Sequence, residues 1–396
     1  MTRPPIPRGV VVLGVVSLFM DTSSELIHSL LPVFLVTVLG ASTLALGVIE
    51  GVAEATAAVS RVFSGAISDW LGRRKPLVLL GYGMAALSKP LFALASGAGM
   101  VFVARFIDRL GKGIRGAPRD ALIADITPPG LRGAAYGLRQ SMDTVGAFAG
   151  PVLALLLMAL THDDFRLVFW MAVIPAVVAV TVLLVGVKEP EPARHGQGRQ
   201  LPLSTAALRS LPRRYWWVLA FAMVLSLARF SEAFLLLRAE QTGLAAGRVP
   251  LILIVMNLCY AASAYPFGRW GDSLPRRRLL GIGIVFLIAA DAVLALAQNP
   301  AAVSGGAALW GLHMGATQGL LVAIVADAAP TQVRGTAFGL FHLVHGLALL
   351  AASILAGGLW ALLGAPATFY AGALFAVVAL IGLSLSGGNW RRRATG

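Results

Sequence analysis

The sequence predicts an all-α integral membrane protein of about twelve transmembrane helices, set out as two pseudo-symmetric bundles of six. Three observations predict it. First, 58% of the 396 residues are hydrophobic and only 13% are charged, with a mean hydropathy of +0.81; a soluble domain carries about one-quarter charged residues. Second, apolar runs of about twenty residues, enough to cross a hydrocarbon core as a helix, recur between short polar or basic breaks. Third, two stretches of sequence repeat at nearly one offset, 202 and 203 residues. A membrane β-barrel is excluded, because its strands are ~10-residue alternating segments and these runs are continuously apolar.

The spans are expected near 9–38, 44–70, 76–96, 99–124, 133–160, 165–187, 215–240, 247–271, 279–297, 300–327, 335–363 and 367–386. The first begins "MTRPPIPRGVVVLGVVSLFM". It has the basic flank and apolar core of a signal peptide but no convincing small-residue cleavage site, and the apolar pattern resumes through "LLPVFLVTVL", so we read an uncleaved helix. The polar stretch 188–214 holds Pro190, Pro192, Pro202, Pro212 and six basic residues. It divides the spans six and six, which gives an N-terminal bundle over 1–187, a cytoplasmic linker over 188–214 and a C-terminal bundle over 215–396.

The net charge of +14 invites a nucleic-acid reading, and the placement of the charge excludes it. "GRRK" (72–75), Arg132, "RRR" (276–278), Arg334, "RRR" (391–393) and the 188–214 segment all fall at breaks between spans. The alternate breaks "GAST" (40–43), "SGAG" (96–99), "THDD" (161–164), "QNP" (298–300) and "GAP" (364–366) hold no Lys or Arg; the break with Arg238 and Arg248 is the exception. Basic loops on one side are the positive-inside pattern, which predicts a multi-pass protein of the cytoplasmic (inner) membrane with both termini cytoplasmic. Cys259 is the single cysteine, so there is no intrachain disulfide and no thiolate metal cluster. His342 and His345 stand at i, i+3 with no carboxylate or thiolate near them in sequence, and no metal or cofactor is expected.

The two halves repeat each other. "ADITPPGLRGAAYG" (124–137) aligns with "ADAAPTQVRGTAFG" (326–339), and "GAISDWLGRRK" (65–75) with "GRWGDSLPRRR" (268–278). Such internal repetition characterises secondary transporters. "GAISDWLGRRK" resembles the loop 2–3 signature of the major facilitator superfamily, G-x-x-x-D-R-x-G-R-R, with Trp70 where a basic residue is usual; Pro275 replaces the glycine in the second copy. "RLGKGIRGA" (109–117) resembles the helix 4 motif R-x-x-Q-G-x-G-A-A of that family, with Lys112 at the glutamine and Arg115 at the second glycine. "GAFAGP" (146–151) resembles the helix 5 G-x-x-x-G-P element associated with antiporters, although Ala154 and Leu155 stand where a glycine pair trails it. The resemblance covers essentially the whole chain and implies the major facilitator fold, alternating access and a small-molecule substrate. Through Gly146, Gly150 and Pro151, it also implies efflux by antiport; the same glycines serve helix packing.

The fourth span carries the densest charge, "RFIDRLGKGIRGAPRD" from Arg105 to Asp120. At 100° per residue, Arg105, Arg109, Lys112 and Arg119 fall within an arc of about 80°. A charge at the bilayer centre costs ~3 kcal/mol or more, so Arg109 and Lys112 face a wet cavity or a partner inside the protein. Arg105 and Arg119 either do the same or snorkel from the ends. Asp21, Glu25 and His28 share a face of the first span at i, i+4, i+7, and Glu50, Glu54 and Arg61 share one of the second. Glu50 stands near the outer end, where solvation alone accounts for it. Arg139 and Asp143 stand at i, i+4, an ion pair or cavity groups; Arg229 and Glu232 stand at i, i+3 with the same two readings. Asn257, His313, Gln318, His342 and His345 are further cavity candidates, and Asp291 has no obvious partner in sequence. The cavity set is therefore Asp21, Glu25, Glu54, Arg61, Arg109, Lys112, Asp143, Arg229, Glu232 and His313, with Asp21 and Glu25 as proton sites.

Asp69 at the cytoplasmic end of the second span can meet Arg73 and a helix dipole. Arg73 can pair with Asp125, and Asp272 and Asp327 repeat the arrangement in the second half. This predicts an ion-pair latch on the cytoplasmic gate; the alternative is a topology signal alone. "GKG" (111–113) is no phosphate loop, because Gly113 replaces the Ser/Thr and Phe106 occupies the first glycine position, and no nucleophile–base–orienter set is present. The expected function is transport of a small polar or amphiphilic solute in exchange for protons by a monomer in the lipid bilayer. Proton-coupled uptake of an organic anion is the alternative within the class. A non-transporting scaffold or receptor is the alternative outside it.

Overall fold

The computed structural model describes residues 6–128, 132–187, 208–329 and 334–385. Among them every regular element is a helix, and no strand occurs. We number twelve spans. α1 is Arg8–Val38, α2 Thr43–Leu71, α3 Lys75–Ala93, α4 Ala98–Ile126, α5 Arg132–Leu160 and α6 Phe165–Gly186. α7 comes in two pieces, Arg213–Leu227 and Ala233–Gln241. α8 is Pro250–Ser273, α9 Arg276–Leu296, α10 Pro300–Ala328, α11 Arg334–Leu363 and α12 Ala365–Leu385. Among the described residues, nine of these are long and apolar enough to cross a membrane by composition alone; α4, which carries many charges, α7, which is broken, and α10 are the other three. The expected spans match all twelve in place.

Two departures have local causes. α1 is regular to His28, then turns at Ser29 and Leu30 and continues through Pro32 into a π-helical turn, Phe34–Val38. Proline has no N–H to continue the ladder, and a wider turn absorbs the misfit. α7 unwinds over residues 228–232 without Pro or Gly. There the N–H of Ser231 donates to Ser353 Oγ at 3.2 Å, and Ser231 Oγ accepts from the N–H of Ala233 at 3.3 Å. Side chains thus satisfy amides that the helix would otherwise bond, which makes a break tolerable at membrane depth.

The chain divides into two compact units. One comprises residues 1–41, 52–201 and 246–250, the other residues 42–51, 202–245 and 251–396. In the first unit, the core is a layer of Val10, Leu13, Val16 and Met20 on α1 against Tyr82 and Ala85 on α3, Leu122 and Ile123 on α4, and Ala176, Ala179 and Leu183 on α6. Small residues set the closest approaches. A Cβ on Gly81 of α3 or on Gly111 of α4 would lie 2.5 Å from the other's carbonyl oxygen, so these backbones touch. On α5, a Cβ on Gly146 would lie 2.5 Å from the Leu18 carbonyl oxygen, and one on Gly150 would lie 2.6 Å from Glu25 Cβ. Close approach of this kind holds membrane helices by van der Waals packing.

In the second unit, Gly283 of α9 gives room to Ala316 and Thr317 of α10, and Gly311 and Gly315 of α10 bring it against α8. An aromatic cluster fills the core where α7 is broken. Phe230 stands 5.8 Å from Phe234, 5.3 Å from Trp310 and 5.6 Å from Phe369, and Trp360 closes the ring of contacts. The first turns of α2 belong to this unit: Thr43 Oγ1 donates to the Gly357 carbonyl at 3.2 Å, and Gly51 meets Leu350 of α11.

Candidate functional site

The charges along α4 and those facing it from α1, α2 and α3 form a connected group. α4 supplies its spine, and the partners come from α1, α2 and α3. Lys89 of α3 is 1% exposed, and its Nζ lies 2.7 Å from Asp108 Oδ1 while donating to Ser24 Oγ at 2.9 Å. The other oxygen of Asp108 stands 3.9 Å from Arg109 Nε, and Arg109 Nη1 reaches Glu54 Oε1 on α2 at 3.5 Å. Arg105 Nη2 donates to His28 Nδ1 at 3.4 Å, and Glu25 Oε2 lies 3.8 Å from the same nitrogen. Lys112, half-buried, is close enough to Arg109, Glu54, Asp21 and Glu25 to feel the charge of each. The group thus includes the cations Lys89, Arg105, Arg109 and Lys112 and the carboxyls Asp21, Glu25, Glu54 and Asp108, and Arg61, Arg115 and Asp143 are close enough to Glu54, Lys89 and Asp21 respectively to share their fields. Paired in this way, charges can persist at a depth where single ones would forbid insertion.

The glycines of α5 place the acidic side of this group. Gly146 abuts Asp21 and Gly150 abuts Glu25, so both carboxyl-bearing residues of α1 sit at the α1–α5 crossing. Glu54 is 35% exposed, whereas Arg109 is 4% exposed. The solvated end of that ion pair is therefore the carboxylate, and the guanidinium is held from behind by Asp108.

Nearer the end of α4, Arg119 Nη1 donates to Ser17 Oγ at 3.0 Å and Tyr82 Oη at 3.3 Å. Arg115 is 4% exposed with its guanidinium 4.4 Å above the Tyr82 ring, a cation–π contact. Arg105, Arg115 and Arg119 all have contacts within the protein and do not reach out to lipid headgroups. Gly113 lies against Ala57 and Ser60 of α2, and Gly116 against Arg61 Nε. Gly113 and Gly116 are what let α2 bring Glu54 and Arg61 to α4.

Several expectations change. Asp143 has its Oδ2 2.6 Å from Arg139 Nη1 on its own helix and is also close enough to Asp21 and Arg119 to feel their charge. His313 is not at a cavity surface. It is fully buried between α9 and α10, and its Nδ1 is 2.7 Å from the Gly283 carbonyl oxygen because Gly283 leaves that carbonyl open to the ring. Glu50, expected to be solvated, is 1% exposed in the second unit, where Ser231 Oγ donates to its Oε2 at 3.5 Å. The cation against Asp125 is Arg74, with Nε 3.4 Å from Oδ2, while Arg73 is exposed. The left-handed turn at Gly72 (φ +65°) puts Arg74 at the N-cap of α3, from which it also donates to Ser68 Oγ at 2.5 Å. The side chains of Asp69, Asp272 and Asp327 lie outside the described residues. Arg229 and Glu232 flank the break in α7, and Pro151 sits within α5 one residue beyond the Gly150 contact.

Lys89 is the charged residue that reading the sequence missed. Its signal was available: a lysine in an apolar span, one residue before Pro90. Among the described residues no cluster of His, Cys, Asp and Glu has the makings of a metal site.

The sequence profile described as Major Facilitator Superfamily matches residues 13–237 and 227–393. An MFS-type transporter of Methanocaldococcus jannaschii, itself uncharacterized, is 29% identical over 379 residues, covering 94% of this chain and 93% of that one. Multidrug resistance protein MdtH of Yersinia pestis is 26% identical over 267 residues, 66% of this chain and 64% of that one. The crystal structure of the nucleoside transporter NupG superposes with a TM-score of 0.76 over 95% of this chain and 98% of that one at 13% identity, a likeness of fold.

Proposed function

Because the chain belongs to the major facilitator superfamily, a family of membrane transporters rather than enzymes, we propose that it exports a small polar, zwitterionic or anionic solute in exchange for protons. The observation that carries this reading is the placement of Asp21 and Glu25. Gly146 and Gly150 press them into the α1–α5 crossing, facing a spine of cations on α4. An approaching cation favours the ionised form of a carboxyl and a departing one lets the proton return, so movement of Arg109 or Lys112 beside Glu25 would tie a proton to the cycle. A region that holds both cations and carboxyls suits a solute carrying both signs, or a single negative charge once a proton is bound, better than a lipophilic cation. The likeness to a multidrug resistance protein supports export as the direction.

In this reading residues 1–187 and 215–396 form the two transport bundles, joined by 188–214 on the cytoplasmic side of the inner membrane. Arg74 and Asp125, with Asp69 and the repeated Asp272 and Asp327, latch the cytoplasmic gate. Alternating access moves the solute while Glu54, Arg61, Arg109 and Lys112 hold its polar groups. The test uses the full chain in liposomes bearing a pH gradient, challenged with a panel of zwitterionic, anionic and cationic solutes. Gradient-driven movement of a zwitterion or anion is expected, lost in Glu25→Gln or Asp21→Asn while solute counterflow persists. Normal pH dependence in both variants would remove helix α1 as the proton site.

A further inference from the structure

Asp291 stands apart from everything used above. It lies three-quarters of the way along α9, in the second unit, and is 0% exposed. Among the described residues neither of its carboxyl oxygens has a hydrogen-bond partner. Its surroundings are apolar and tight. A Cβ on Gly372 of α12 would lie 2.7 Å from Asp291 Oδ2 and 2.9 Å from Phe230 Cε1, so the carboxyl, the Phe230 ring and the α12 backbone share one small space. Phe230 belongs to the broken segment of α7, and Trp310 and Phe369 pack against its ring.

Arg238 of α7 is tied to the carbonyls of Leu294, Ala295 and Ala297 at the end of α9. On α7, Arg229 and Glu232 flank Phe230, and Arg229 feels Glu232 and Tyr260. On α10, His313 is one turn beyond Trp310, with Nδ1 tied to Gly283. The described part of α12 carries only Tyr370, which is half-exposed. None of these is bonded to Asp291.

A buried carboxylate without counter-charge or donor is strongly disfavoured, the more so at membrane depth. A site that buries both oxygens with no protein donor or counter-charge among the described residues suits the acid form. We infer that Asp291 is a second proton-binding site, loaded as the neutral acid behind the aromatic cluster and discharged through the break in α7. The break supplies the moving part. When residues 228–232 shift, the Phe230 ring leaves the carboxyl, water enters, and the O–H bond breaks with its proton passing to that water. The carboxylate left behind is countered by Arg229, the next residue along the same unwound segment. Gly372 allows this packing, because any side chain there would displace either the carboxyl or the ring.

This inference rests on the proton-coupled reading, and its test reports protonation directly. The probe is the proton. Infrared difference spectra between acid and alkaline pH are taken on the full chain in liposomes, in H2O and in D2O. A carboxylic-acid carbonyl band is expected in the unaltered protein, falling with rising pH and shifting in D2O. It should be lost in Asp291→Asn, kept in Glu25→Gln and moved in Asp291→Glu, which retains an acid should the Asn variant fold poorly. A spectrum identical in Asp291→Asn would overturn the inference, as would an Asp291 band that ignores both pH and D2O. If that band is unresponsive while Glu25→Gln still abolishes gradient-driven transport, this inference falls and the proposed function stands. If the band responds while both Glu25→Gln and Asp21→Asn keep normal pH dependence of transport, this inference stands and α1 falls as the proton site.

Discussion

Lys89→Met tests whether the α4 charges are held from behind by α3. Lys89 and Asp108 are 2.7 Å apart and 1% and 4% exposed. At an effective dielectric of about 20, Coulomb attraction at that distance is ~6 kcal/mol, and desolvation of both groups offsets much of it. Removing one partner is therefore the larger perturbation, typically about 3–5 kcal/mol, because it strands the other charge. Lys89→Met leaves Asp108 with Arg109 Nε at 3.9 Å, so its loss belongs at the lower end, about 3 kcal/mol. Asp108→Leu leaves Lys89 with the Ser24 hydroxyl at 2.9 Å and should cost about 4–5 kcal/mol. The double variant Lys89→Met/Asp108→Leu removes both charges and should lose less than either single change, giving a coupling free energy of about 4 kcal/mol or more. The assay is reversible unfolding of the full chain in mixed detergent micelles across the four-member cycle. Single changes that each cost under ~1 kcal/mol, as exposed pairs do, or that simply add in the double, would refute the claim that this pair anchors α4.

Gly150→Ala should push α1 away from α5, since its methyl would stand 2.6 Å from Glu25 Cβ; about 1–3 kcal/mol of stability should be lost, whereas Gly83→Ala, with open space at its Cβ position, should stay within ~0.5 kcal/mol. Arg109→Lys keeps the charge but cannot span Glu54 and Asp108 together, so transport should fall ~10-fold or more, measured as initial rates in liposomes; full activity would make the contact structural. Arg74→Gln should raise the labelling of cysteines placed on the cytoplasmic side, and Arg73→Gln should not; equal effects would remove Arg74 from the latch. A reporter fused after Arg199 should signal cytoplasm and one after Asp163 the opposite side, with swapped signals ending the assigned topology.

Hydropathy made the helices legible almost to the residue, because a membrane span must be a continuous apolar helix with its backbone bonds satisfied inside it. It did not reveal the break in α7. That break depends on Ser353, a hydroxyl 122 residues away in sequence from Ser231, and no local pattern announces such a partner. Periodicity placed Arg109, Glu54, Asp21 and Glu25 on plausible faces, and the structure brings them together. It failed at His313, where the neighbouring helix has a glycine and the carbonyl behind it captures the ring. Lys89 escaped notice for a related reason: a single charge in an apolar span looks like an edge residue until its counter-charge on another helix is known. The shift from Arg73 to Arg74 turns on one left-handed residue, Gly72, which sets where the next helix starts.

The contact of Gly81 with Gly111 also limits how the transporter can vary. With no room for a methyl on either side, α3 and α4 form one stiff blade, riveted again by Lys89 to Asp108 and by the Arg115 guanidinium over Tyr82. The blade fixes the coordinates of the cations, so tilting α4 is not a route to a new substrate. In the proposed reading, specificity would then drift through side chains that look onto the blade, those of α1, α2 and α5 among them. Relatives with other cargoes would then differ at Asp21, Glu25, Glu54 and their neighbours while keeping the blade's glycines as they are.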